Sequence, residues 1–146
     1  MGASYGGYAA LAGVTLQQGL YRCAVAVAPV SDLADMYRED TRGVRDLATI
    51  VASLKEFFGP RENWNAVSPL RAAARADAPI MLIHGVDDIV VPYAHSTRMA
   101  SALKSAGKPH ELVQLKGEDH WLSRSETRRA MLEAAVRFVE QHNPPG

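Results

Sequence analysis

Gly2-Ala3-Ser4-Tyr5-Gly6-Gly7-Tyr8 opens the chain, and its first five residues fit the pattern Gly-x-Ser-x-Gly. That pattern marks a sharp strand-to-helix turn that holds a serine in a strained, presented position. The glycines have a steric reason: Cβ atoms at Gly2 and Gly6 are expected to crowd the turn. Downstream, Ala9, Ala10, Ala12 and Leu16 favour a helix from Tyr5 to about Gln18, ended by Gly19. A serine turn of this kind, which joins a strand to the helix it opens, belongs to an α/β unit. The helix N-terminus favours developing negative charge, and the Tyr5 backbone N–H is placed to donate to an oxyanion. Only Met1 precedes Gly2, so the strand that enters the turn is expected to lie outside this chain. Alone, the pattern also fits a plain Gly-rich turn in which Ser4 caps a helix.

Two further segments decide between these readings. Ala78-Pro79-Ile80-Met81-Leu82-Ile83-His84-Gly85 is a short apolar run that ends in glycine, as a buried parallel strand does. The loop after it, Val86-Asp87-Asp88-Ile89-Val90-Val91-Pro92, carries two carboxylates, either of which could also serve as a solvated turn residue or a helix cap. Glu111-Leu112-Val113-Gln114-Leu115 reads as another strand and runs into Lys116-Gly117-Glu118-Asp119-His120-Trp121. Ser, Asp and His therefore each follow a predicted strand. This is the chain order of α/β-hydrolases, unlike that of the chymotrypsin and subtilisin triads. Loops at the carboxyl ends of parallel strands converge, so the three groups can meet. A serine hydroxyl needs such help: a histidine to take its proton and an acid to orient that histidine.

On Gly2-Ala3-Ser4-Tyr5-Gly6-Gly7-Tyr8, Ser68-Pro69, His84-Gly85-x-x-Asp88-x-x-Val91-Pro92 and Gly117-Glu118-Asp119-His120, the chain resembles the C-terminal part of the catalytic domain of the prolyl oligopeptidase family of serine peptidases, which includes dipeptidyl and acylaminoacyl peptidases. The resemblance covers nearly the whole chain and treats residues 1–146 as one portion of that domain. It implies Ser4 as nucleophile, Asp88 rather than Asp87 as acid, and His120 as base. It implies hydrolysis of peptide or ester bonds through an acyl-enzyme. Activated esters need less transition-state help than amides, so esterase activity is expected to outlast peptidase activity. A truncated, self-associating piece without a competent site is the alternative. The fold implied is the C-terminal portion of an α/β-hydrolase, the last three parallel strands of its sheet with flanking helices. The N-terminal strands, the loop bearing a second oxyanion donor and the family's β-propeller are expected outside the chain. Val90 departs from the pattern, because many members carry a basic residue there, and this alters the charge near the site.

Composition excludes several other classes. Sixteen basic residues against sixteen acidic give zero net charge, which argues against nucleic acid or an anionic membrane as partner. No stretch approaches the roughly 18 apolar residues of a membrane span. Cys23, the single cysteine, sits in an apolar run; it reads as a small core residue in a chain suited to a reducing, cytoplasmic compartment. The acidic pairs Asp87-Asp88 and Glu118-Asp119 lack spaced His or Cys partners, so neither a metal nor another cofactor is expected.

The remaining elements frame these motifs. Residues 23–27 form a strand, Ser31 caps a short helix through Leu33 and Met36, and residues 45–58 form a helix with Leu47, Ile50, Val51, Leu54 and Phe58 on one face. Residues 64–69 are loop, and the resemblance implies that Ser68-Pro69 leads into a short helical turn before the next strand. A helix spans residues 93–106, and a terminal helix spans 125–142 with Met131, Leu132, Ala135, Val136 and Val139 as its core stripe. His84 reads as a packed, satisfied histidine and Trp121 as packing. Arg124, Arg128 and Arg129 read as a solvated basic turn near Glu126 and Glu133. With the strand before Ser4 absent, the 23–27 strand leaves an open apolar edge, which predicts a homo-oligomer or association with an upstream fragment.

Overall fold

Ile80-Met81-Leu82-Ile83 is apolar at every position, and such a run is stable only where both faces of a strand are covered. The computed structural model, which describes residues 1–42 and 47–146, places it so. Four parallel strands, β1 (Gly2–Ala3), β2 (Ala24–Val27), β3 (Ile80–Gly85) and β4 (His110–Leu115), lie in the order β1-β2-β3-β4. Every residue of β2 and β3 is buried, while β4 alternates and leaves Leu112 partly exposed, as an edge strand does.

The alternation of side chains divides the core into two layers. Ala24, Ala26, Ile80 and Leu82 face Leu11 and Val14 of α1 (Tyr5–Thr15), Ala73 and Ala76 at a 3-10 turn, and Met99 and Leu103 of α4 (Ala94–Ser105). Val25, Val27, Met81, Ile83 and Leu115 face Met131, Ala135 and Phe138 of α5 (Ser125–His142). A third cluster, Val30, Leu33, Met36, Trp64 and Val91, caps the carboxyl end of the sheet and includes α2 (Leu33–Thr41). Between them, α3 spans Leu47–Phe58, and Gly59 follows it at φ +69°. The expected start of α3 at Arg45 and the expected face formed by Leu47, Ile50, Leu54 and Phe58 fall outside what is described.

Four details differ from the sequence reading. A fourth strand exists: Gly2 and Ala3 pair with Ala26 and Val27, so the edge of β2 is half covered. Asp32, not Ser31, caps α2, accepting from the Ala34 and Asp35 N–H groups. A 3-10 turn (Arg61–Asn63) that the sequence did not suggest precedes the expected loop, whereas the longer one after Ser68 (Pro69–Arg75) is the helical turn that the resemblance implies. The stripe of α5 is rotated. Phe138 is buried, whereas Leu132 and Val136 are each 53% exposed.

Candidate active site

The serine turn is strained as its sequence predicts. Ser4 has φ +56° and ψ −118°, a backbone region that non-glycine residues adopt at a cost of about 1–3 kcal/mol. It is held there by its neighbours: its N–H donates to Val27 O at 2.8 Å, and its carbonyl accepts from Tyr8 N–H at 3.0 Å. The glycines divide differently than expected. A Cβ at Gly2 would lie 2.1 Å from Gly6 O and one at Gly7 would lie 2.8 Å from Val27 O, but one at Gly6 meets nothing within 4 Å. Gly7, not Gly6, is the second position at which the turn admits no side chain. The Tyr5 N–H lies in the first turn of α1, among the donors that a helix leaves without an internal partner.

The loop after β3 delivers Asp88. Asp87 is exposed, while Asp88 is 6% exposed. Asp88 Oδ1 accepts from the N–H groups of Val90 (2.9 Å) and Val91 (2.8 Å). Its Oδ2 accepts from His120 Nδ1–H at 2.7 Å. A carboxylate only accepts, so Nδ1 carries the hydrogen and Nε2 is left to accept. His120 Nε2 lies 3.1 Å from Ser4 Oγ, whose hydroxyl donates to it. The three groups singled out from the sequence thus form one chain of hydrogen bonds. Burial alone raises the Asp88 pKa, but the contacts from His84, His120, Val91 and Val90 together outweigh it and hold the carboxyl below its ordinary value.

The loop carrying His120 is organised by Glu118, which the sequence reading did not single out for a role. It is 1% exposed. Its carboxylate accepts from the N–H groups of Asp119 (3.0 Å), Ser123 (2.9 Å) and Arg124 (3.3 Å) and from the Thr127 hydroxyl. Gly85 must be glycine for this loop to seat, since a Cβ there would lie 2.4 Å from Glu118 O. The basic turn has a related duty. Arg124 and Arg128 donate to the carbonyls of Gly117, Leu122 and Ser123 and brace the same loop, while Arg129 pairs with Glu133 at the surface. Trp121 is not packing. It is 75% exposed and stands edge-on to the His120 ring, with centroids 5.3 Å apart.

Beside Ser4 lies an apolar pocket of about 190 Å³, lined by Tyr5, Tyr8, Val30, Leu33, Met36, Val90 and Val91. The Tyr8 hydroxyl donates to Val67 O at 2.9 Å, which fixes one wall. These positions were not legible as a site, because apolar residues in a pocket wall look like core. His84 is buried and hydrogen-bonded at both ring nitrogens, as expected. Cys23 is half-buried against the α5 side of the sheet, and burial pushes its thiol pKa up, away from nucleophilic use. Among the described residues no group of three His, Cys, Asp or Glu is placed to hold a metal ion, and no helix is long and apolar enough to cross a membrane.

Chemically, a histidine held by a buried carboxylate and facing a serine on a strained turn is equipped to take the serine proton and return it to a leaving group. The chain is similar to known proteins along nearly its whole length. The sequence profile described as "Prolyl oligopeptidase family" matches residues 1–144. The mouse (Mus musculus) prolyl endopeptidase FAP is 28% identical over 143 residues, covering 96% of this chain and 18% of that protein. Dipeptidyl aminopeptidase BIII of Pseudoxanthomonas mexicana is 27% identical over 154 residues, covering 97% and 21%. Among solved structures, a Mycobacterium tuberculosis puromycin-hydrolyzing peptidase superposes with a TM-score of 0.83 at 31% identity, covering 97% of this chain and 21% of that one. Pyrococcus horikoshii acylaminoacyl peptidase gives 0.79 at 26% identity, covering 97% and 23%. The fold is therefore part of an α/β-hydrolase domain, and the chain spans about a fifth of the length of these relatives.

Proposed function

Because the chain belongs to the prolyl oligopeptidase family of serine peptidases, we propose that it carries that family's hydrolytic centre, with Ser4 as nucleophile, His120 as base and Asp88 as the acid that orients it. The observation that carries this reading is the continuous relay from Asp88 through His120 to Ser4, at 2.7 and 3.1 Å, on a serine whose backbone is strained. In the proposed reaction Ser4 Oγ attacks a carbonyl carbon as His120 Nε2 accepts its proton. The tetrahedral oxyanion takes a hydrogen bond from the Tyr5 N–H. His120 then protonates the leaving amine or alcohol, which departs as the acyl-enzyme forms, and a water activated by the same imidazole releases the acid. The apolar pocket beside Ser4 suits an uncharged aliphatic or aromatic side chain on the acyl side of the cleaved bond.

Esters are the better substrates in this reading. Tyr5 N–H is an oxyanion donor in this reading, and one such donor is worth on the order of 10²–10³ in rate, help that amides need more than activated esters do. The test is covalent labelling by a fluorophosphonate probe. Labelling of the folded chain that disappears in Ser4→Ala supports the proposal. A folded sample that is not labelled rejects it in favour of a site that is assembled but not competent. Nitrophenyl esters of apolar acyl groups, with puromycin as the amide comparison, then rank esterase against peptidase activity.

The proposal extends to association. The free edge of β1 is flanked on one side by a hollow of about 310 Å³ lined by Met1, Gly6, Ala9, Tyr21 and Cys23, and on the other by exposed Leu132 and Val136. An open strand edge between two apolar surfaces favours pairing with another strand, supplied by a second copy of the chain or by an upstream fragment.

A further inference from the structure

His84 shares its deeply buried environment with Asp88 but has no part in the relay itself. The histidine is the penultimate residue of β3, four residues before the aspartate, and its side chain is fully buried. Its Nε2 lies 2.9 Å from Val91 O and 3.2 Å from Asp88 Oδ2. Both neighbours are acceptors, so Nε2 carries the hydrogen. Nδ1 lies 2.7 Å from Ser96 Oγ, on the first turns of α4, and accepts from that hydroxyl. The ring is thereby pinned between α4 and the acid loop. The Tyr93 ring closes its face edge-on at 5.6 Å.

The consequence lies in which atoms this ring touches. Val91 receives the His84 hydrogen on its carbonyl and gives its own N–H to Asp88 Oδ1. Asp88 Oδ2, which accepts from His120, is also the oxygen nearest His84. One imidazole therefore braces the carboxylate directly and through the peptide that holds its other oxygen. We propose that His84 is a positioning residue for Asp88, fixing by its Nε2–H which carboxylate oxygen faces His120 and withdrawing part of that oxygen's charge from the relay. This rests on the reading of Asp88, His120 and Ser4 as the hydrolytic centre, but its test does not require turnover.

The titratable groups around His84 are few. Asp88 faces it from its own loop, with His120 beyond, and His95 and Tyr93 face it from α4 and the residue before it. His95 is held neutral down to about pH 4 by burial, with His84 nearby adding to the effect, so it supplies no competing charge near neutrality. Without the His84 donor, Asp88 Oδ2 presents more negative charge to His120 and favours the imidazolium. A role confined to stitching β3 to α4 has no such effect on His120.

The decisive experiment is imidazole ¹H–¹⁵N NMR on the whole chain labelled at histidine, titrated with pH. In the parent, His84 must show its hydrogen on Nε2. In His84→Asn, whose amide reaches only the Nδ1 position, the His120 midpoint should rise on the order of half a pH unit. His84→Gln, whose amide reaches the Nε2 position, should restore the parent value. Ser96→Ala, a smaller change, should give a partial rise and decides the matter if His84→Asn does not fold. An unmoved His120 midpoint in folded His84→Asn or Ser96→Ala overturns the proposal, as does His84→Gln behaving like His84→Asn. Fluorophosphonate labelling run on the same samples separates the two readings: a shifted His120 in a chain whose Ser4 stays unlabelled keeps the positioning role and rejects the hydrolytic one.

Discussion

Asp88 accepts four polar contacts, two from backbone N–H groups and two from histidines, and only one of them reaches the serine. The other three hold the carboxylate in place, and all four together keep it ionised below the usual carboxylate range despite burial. Its role is then to fix the tautomer of His120, and a neutral amide of the same shape cannot do so. Asp88→Asn is expected to fold and to lower the fluorophosphonate labelling rate by on the order of 10³–10⁴-fold, the size of effect that the wrong imidazole tautomer has in serine triads. A loss of less than tenfold would show that His120 works without the acid. Asp87→Asn, at the exposed neighbour, should leave the rate unchanged. From sequence, Asp87 and Asp88 looked alike, and only the family pattern separated them. The physical reason is burial under His84 and Val91, a tertiary fact that composition and spacing do not encode. Trp121 shows the converse: a large apolar residue predicts packing, yet it stands in solvent beside the His120 ring.

The serine turn and the α4 N-terminus each make a testable demand on their elements. In the turn, Gly2→Ala drives a Cβ into Gly6 O and should abolish both labelling and cooperative unfolding of α1, whereas Gly6→Ala meets open space and gains helix propensity of up to about 1 kcal/mol. Thermal melts of the two variants check this, and a destabilised Gly6→Ala chain contradicts it. At α4, His95 is buried with Nδ1 accepting from Ser31 N–H at 3.1 Å. Burial first, and the nearby His84 next, lower its pKa from 6.5 to about 4. The unfolded chain therefore binds this proton at higher pH than the native one. The stabilisation is fully present above the unfolded value and is lost as pH falls from about 6.5 toward 4, amounting to about 2 kcal/mol by pH 5. Urea unfolding at pH 7.5 and pH 5 should show that drop, and His95→Gln should flatten it; an equal drop in both chains places the acid sensitivity elsewhere. At this scale the sequence was most legible where periodicity runs long, as in α1, β3 and α4. It was least legible where two residues suffice. β1 is too short for any pattern, and the capping of α2 passes from Ser31 to Asp32 because the Ser31 hydroxyl is taken by the His95 carbonyl at 2.8 Å.

For the whole molecule, the parallel order β1-β2-β3-β4 and the convergence of three loops at one end follow from where the strands fall in the sequence, which is why the relay could be read before the fold was seen. What the strand pattern does not contain is which helical residues a sheet leaves uncovered. On α5, Phe138 turns toward β2 and β3, while Leu132 and Val136 extend past the sheet beside Met1. A helix packed over an edge strand covers only as far as that edge reaches, and β1 is two residues long. The apolar surface left over adjoins Met1, next to β1 at the edge of the sheet among the described residues, so strand pairing and side-chain burial favour the same partner geometry. Light scattering of the purified chain should accordingly report a dimer or larger species. Leu132→Glu combined with Val136→Glu changes only half-exposed positions, so each chain should keep its fold while the assembly dissociates by at least tenfold in concentration, since one buried and unpaired charge already costs more than the corresponding 1.4 kcal/mol. A monodisperse monomer of the parent chain would sink this reading, and an assembly unaffected by the double substitution would move the interface away from the β1 edge.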